Sequence, residues 1–210
     1  MAGVEVLLFD LGGVLVDSAG LRALPQLLPA PLASDELRRR WLQSRAVERF
    51  ESGQCSGEAF AAAFIEEWGL ALAPADFLAQ FRSWVTAPYP GVAELLLELR
   101  TRYMLACLSN TNALHWEKML LMDGLLSPLQ RHFTSFRLGV MKPSPEIYAH
   151  VVGELGCPAR AVAFFDDGIE NIEAAARAGL SAHLIERPDR LPMVLSDLGL
   201  LPPDVRRRPT

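Results

Sequence analysis

Apolar residues along this chain fall into short dense runs, separated by longer stretches in which they recur every three or four positions. Val4–Phe9 is one such run, and four more follow: Tyr103–Leu108, Phe133–Phe136, Ala161–Phe165 and Ala182–Ile185. Runs of this length, rich in strand formers, predict buried strands. The stretches between them carry the helical period. "PGVAELLLELR", from Pro90, precedes the second run, and "ALHWEKMLLMDGLL" follows it. "SPEIYAHVVGELG" offers Ser144 as N-cap, Pro145 at the first helical position and Gly156 past the end. "IENIEAAARAG" stops at Gly179. Strands alternating with helices predict an α/β fold whose parallel sheet is covered on both faces.

One region breaks the alternation. From Leu21 to Trp84 no good strand is found, and helical signatures recur: "SDELRRRWLQSRAVERF", "SGEAFAAAFIEEWG" and "PADFLAQFRSWV". Ser34 and Ser56 are candidate caps, and Pro74 is a candidate helix start. The expected division is an α/β core of residues 1–17 and 88–210 with a helical domain, 18–87, inserted after the first strand. Thr86–Gly91, "TAPYPG", reads as the return hinge. The tail after Pro202 is expected to fray.

Composition narrows the function classes. The chain has 210 residues, half of them hydrophobic, and a net charge of −5. That acidity argues against general nucleic-acid binding. The basic runs Arg38-Arg39-Arg40 and Arg206-Arg207-Arg208 read as a solvated face and a tail. Cys55, Cys107 and Cys157 form no C-x-x-C pair, which fits a reducing cytoplasm better than a disulfide framework or zinc site. No signal-peptide pattern or membrane-spanning apolar stretch is found.

Chemistry concentrates at the strand ends. In an open parallel sheet, ligands collect outside the carboxyl ends of the strands. Asp10 follows the first run, Ser109-Asn110-Thr111-Asn112 the second, a loop leading to Lys142 the third, and Asp166-Asp167 the fourth. Three converging carboxylates raise one another's pKa unless a cation neutralises them. Oxygen donors without His or Cys favour a hard ion such as Mg²⁺. Lys142 reads as a mobile point charge suited to a phosphate, and Ser109 and Asn110 as donors to phosphate oxygens. A carboxylate nucleophile that forms an aspartyl-phosphate accounts for the spare acid.

These residues fall in four ordered motifs: "FDLGGVLVD" (Phe9–Asp17), "LSNTN" (Leu108–Asn112), "MKPSPEIY" (Met141–Tyr148) and "FFDDGIEN" (Phe164–Asn171). In them the chain resembles the haloacid dehalogenase-like hydrolase superfamily, with a C1-type cap. The wording is similar to that of small bacterial sugar-phosphate phosphatases of the glucose 1-phosphate type, and to the N-terminal phosphatase domain of soluble epoxide hydrolases. The resemblance implies a three-layer Rossmann-like sheet of order 5-4-1-2-3. It implies Asp10 as nucleophile and Mg²⁺ ligand, with the Gly12 carbonyl and Asp167 as further ligands and Asp166 acting through water. Asn171 would orient that loop, Ser109 and Asn110 would hold the phosphoryl group, and Lys142 would bridge it to Asp10. The implied activity is Mg²⁺-dependent hydrolysis of small phosphorylated metabolites by a cytoplasmic monomer or homodimer. There is one departure: the family's usual first motif carries a second Asp as general acid and base, and here that position is Gly12. His115, a cap residue such as Glu48 or Glu51, or water are the candidate replacements, and Asp17 reads as structural, near the hinge. Two alternatives stand beside the phosphatase: a catalytically weak protein that binds a phosphorylated ligand, and a metal-free 2-haloacid dehalogenase.

Overall fold

The computed structural model describes residues 3–201; Arg206-Arg207-Arg208 and the tail after Pro202 lie outside them. In chain order the elements begin with β1 (Val6–Phe9), β2 (Val16–Ser18), α1 (Gly20–Ala23), α2 (Ser34–Leu42), α3 (Arg45–Glu51), α4 (Gly57–Trp68), α5 (Pro74–Ser83) and β3 (Val85–Pro88). Next come α6 (Val92–Leu99), β4 (Met104–Ser109), α7 (Ala113–Met119), β5 (Arg131–Thr134), α8 (Ser135–Leu138) and α9 (Pro145–Leu155). The last are β6 (Val162–Asp166), α10 (Ile169–Arg177), β7 (Ser181–Leu184) and α11 (Leu191–Asp197).

The main sheet has five parallel strands in the order β7-β6-β1-β4-β5. This is the expected 5-4-1-2-3 order, with β1 in the centre. Alternation along each strand feeds two separate apolar layers. Leu7 and Phe9 of β1, Leu105 and Cys107 of β4, and Ala163 and Phe165 of β6 pack into one layer. Val6 and Leu8, Ala106 and Leu108, and Val162 and Phe164 pack into the other. A fully buried Phe or Leu contributes about 2 kcal/mol by leaving water, so the central strands are fixed on both faces.

The third strand differs from its prediction. Phe133–Phe136 was expected, but the strand is Arg131–Thr134, and Ser135 and Phe136 open α8. β5 is an edge strand, and its first residues, Arg131 and His132, are exposed. An apolar scan passes over such residues.

Between β2 and β3 the chain is helical, as predicted, with an apolar cluster of its own that includes Phe50, Phe60, Phe64, Trp68, Phe77, Phe81 and Trp84. Ser34 is not the cap expected of it, since Ala33 holds that position and Ser34 is the first residue of α2; the helical stretch that follows is two helices, because Ser44 caps α3 by accepting from the Val47 N–H (3.2 Å). Ser56 caps α4 in the same way. β2 and β3 pair antiparallel, so the two crossings between sheet and helical segment lie side by side. Asp17 binds them together, accepting from Thr86 Oγ1 (2.9 Å) and pairing with Arg22.

Candidate active site

The registers Phe9↔Cys107 and Phe9↔Phe165 level the carboxyl ends of the three central strands. Asp10, Ser109 and Asp166 therefore emerge next to one another. Asp10, Asp166 and Asp167 each bring a carboxylate oxygen within 4.8 Å of the others. The tenth and 166th residues are buried, whereas Asp167 stands at the exposed rim.

Lys142 is not the mobile charge its sequence context suggested. Its side chain is only 1% exposed, and Nζ lies 2.6 Å from Asp166 Oδ2 and 3.1 Å from Asp10 Oδ1. Asn110 fixes the backbone at that point. Its Oδ1 accepts from the Lys142 N–H (2.8 Å), and its Nδ2 donates to the Lys142 carbonyl (2.9 Å). The Asn110 side-chain amide is thus engaged with the Lys142 backbone. Ser109, 3% exposed, lines the cavity wall.

The carboxylates are held individually. Asp10 Oδ1 accepts from the Leu11 N–H (2.7 Å). Asp166 Oδ1 accepts from the Gly168 N–H (2.7 Å) and from Asn171 Nδ2 (2.9 Å), while the Asn171 carbonyl accepts from Tyr148 Oη (3.0 Å). Burial, reinforced by Asp166 and Asp167, pushes the Asp10 carboxyl up to about 7 against the pull of Lys142. Asp167 is raised by desolvation and by Asp166. Burial opposes the charge on Lys142, but Asp10 and Asp166 outweigh it and raise its pKa above the ordinary value. One lysine does not balance three acids, so the cluster attracts further positive charge.

The loop after β4 is held by a residue the sequence reading missed. Ser135 Oγ accepts from the Thr111 N–H (2.9 Å) and donates to the Thr111 carbonyl (3.0 Å). The partners are 24 residues apart, so no local pattern advertised the pair. Asn112 caps α7 by accepting from the His115 N–H (3.1 Å).

A cavity of about 950 Å³ opens above the carboxyl ends, lined by Asp10, Ser109 and Lys142 below and by residues of α2 and α3 above. The three candidate residues for the missing acid and base all reach its wall, but they differ in state. His115 Nε2 lies 2.7 Å from the Phe81 carbonyl, Nδ1 lies 3.2 Å from Asn112 Nδ2, and the ring stacks on Phe81. Burial pushes its pKa down to about 4. Both ring nitrogens are occupied, which removes the histidine as a proton carrier. Glu48 is exposed. Glu51 is buried, at 9% exposure. Arg38, read as part of a solvated run, is partly exposed and pairs with Glu170 of α10 (3.0 Å) at the cavity edge.

Residues 4–179 match the haloacid dehalogenase-like hydrolase family. The chain is 25% identical over 183 residues to the D-ribitol-5-phosphate phosphatase of Bacteroides thetaiotaomicron, covering 84% of this chain and 89% of that one. Among solved structures, a haloacid dehalogenase family enzyme of the same organism, in a magnesium complex, superposes with TM-score 0.76 at 22% identity, covering 92% of this chain and 98% of that one. The L-2-haloacid dehalogenase of Xanthobacter autotrophicus superposes with TM-score 0.63 at 22% identity, covering 95% and 85%. At that identity both structures show the fold alone. The ordered motifs, the strand order and the match over most of the chain converge: this protein belongs to the haloacid dehalogenase-like hydrolase family.

Proposed function

We propose that the chain is a Mg²⁺-dependent phosphatase of small phosphorylated metabolites, sugar phosphates foremost, working through an aspartyl-phosphate on Asp10. The observation that carries this reading is the juxtaposition of three carboxylates and one buried lysine beneath a cavity. The similarity to a sugar-alcohol phosphate phosphatase supports it. On this reading, residues 18–87 serve as a cap over a core of 1–17 and 88–210.

An all-oxygen, acid-rich donor set fits a hard divalent cation. Asp10, Asp167 and the Gly12 carbonyl would hold Mg²⁺. Asp166 would act through water, since both its oxygens already accept hydrogen bonds. When bound, Mg²⁺ supplies positive charge to the phosphoryl oxygens. The chain's own residues do the rest. Leu11 N–H and Lys142 fix Asp10 Oδ1, which leaves the second oxygen to attack phosphorus. The Ser109 hydroxyl and the Asn110 main-chain N–H hold the phosphoryl group, and Lys142 neutralises charge on it during transfer. Asn171 keeps Asp166 in place.

The test is hydrolysis of p-nitrophenyl phosphate with Mg²⁺. EDTA and Asp10→Asn should each abolish it, and activity that survives either change overturns the mechanism. The dehalogenase alternative is disfavoured because attack on carbon has no use for the acid cluster around Asp10. Halide release from 2-chloropropionate without metal would restore it. Tight binding of phosphorylated ligands without turnover would favour the weak-binder alternative.

A further inference from the structure

The first motif leaves the leaving group without a proton donor, because Gly12 stands where a carboxylate would serve. We propose that Glu51, carried by the helical segment rather than by the sheet, is the general acid and base of the reaction. The assignment rests on the phosphatase reading above.

Glu51 is the last residue of α3. It lines the same cavity as Asp10 and is only 9% exposed. Among the described residues, no hydrogen bond or ion pair to its carboxyl is found. Its placement disfavours a negative charge on three counts: a carboxyl with little exposure and no protein partner among the described residues, the C-terminal end of a helix, and the electrostatic neighbourhood of Asp10. Carboxyls perturbed in this way inside a cleft concentrate at catalytic sites. Burial first, and then the charge of Asp10, pushes its pKa up to about 7 against the pull of Lys142. A carboxyl poised there can give a proton and take one back near neutral pH.

The position is built, not incidental. The turn after α3 is fixed to the core by Gly53, at φ +72, where an added Cβ would fall 2.2 Å from the Phe136 carbonyl oxygen. Only glycine permits that approach, which brings the turn after α3 against the backbone of α8. Glu48, one turn earlier, is exposed, and His115 has both ring nitrogens engaged.

The step balances in both directions. An Asp10 oxygen bonds to phosphorus as the bond to the ester oxygen breaks. The electron pair goes to that oxygen, and the Glu51 carboxylic acid delivers its proton there, so a neutral alcohol departs. Water then attacks phosphorus while the Glu51 carboxylate takes its proton. The bond to Asp10 breaks, phosphate leaves, and the acid form of Glu51 is restored.

The test compares Glu51→Gln with wild type and Glu48→Gln on two esters: p-nitrophenyl phosphate, whose phenolate leaves without a proton, and glycerol phosphate, whose alkoxide does not. Glu51→Gln should lower kcat/KM on glycerol phosphate about 100-fold or more and on p-nitrophenyl phosphate less than about 10-fold. Rapid mixing should show a burst of p-nitrophenol, since the phosphoenzyme forms but its hydrolysis has lost the base. That burst also counts the folded enzyme. Equal losses on both esters without a burst, no loss on either, or the same pattern in Glu48→Gln would each overturn the assignment. Wild-type protein that hydrolyses neither ester overturns the phosphatase reading, and this assignment with it.

Discussion

Gly13 lies against Asp167. At φ +79, an added Cβ would fall 2.4 Å from Asp167 Oδ2. The second glycine of "DLGG" therefore does two things: it permits a left-handed turn, and it leaves room for the rim carboxylate. Gly13→Ala should cost about 1–2 kcal/mol in stability from the backbone alone. It should also lower phosphatase activity about 100-fold by displacing Asp167. Gly69→Ala separates the two effects. That glycine also has positive φ, at +66, but nothing lies within 4 Å. It should lower the melting temperature similarly and keep its activity. At this scale the sequence displayed the identities of Asp10, Gly13 and Asp167 but not their partners. Asn110 and Lys142 are 32 residues apart, so neither the burial of the lysine nor the use of the Asn110 amide left a local trace.

At the scale of elements, His115 joins α7 to the end of α5 through the Phe81 carbonyl. Its pKa is depressed from 6.5 to about 4 by burial, so the unfolded chain binds the proton more tightly than the folded one. The stabilisation is complete above pH 6.5 and is lost as pH falls toward 4, amounting to on the order of 3 kcal/mol. Melting temperatures of wild type between pH 7 and pH 5 should fall more steeply than those of His115→Gln. That variant should retain activity within about threefold at pH 7, because the ring is occupied by protein groups. Each core strand was legible within two residues of its position, most plainly β1, β4 and β6, because strands buried on both faces leave dense apolar runs. The β2–β3 ribbon was not. Its strands have three and four residues, Pro88 ends one of them, and their burial is uneven, so no periodicity could show.

Over the whole molecule, charge is unevenly distributed: a net −5 chain brings three carboxylates to one point beneath its cavity. A cation that binds there binds the folded state only. Mg²⁺ at one hundred times its dissociation constant should stabilise the fold by about 2.7 kcal/mol. The rise in melting temperature should be lost in Asp167→Asn, and thermal denaturation with and without EDTA checks this.

The β2–β3 ribbon has a consequence for inheritance. Ser18 and Val85 are paired neighbours, so the chain leaves the sheet and re-enters it at one place. An insertion with its ends already together can be lengthened, shortened or exchanged without shifting the register of β1 against β4, since closing a longer loop costs little. On the proposed mechanism, a lineage can thus revise what its enzyme accepts while Asp10 stays still. With Glu51 on the exchangeable side of that joint, a graft that alters selectivity also carries the proton donor away. Transplanted helices must bring their own acid, or the recipient will turn over only esters that leave unaided.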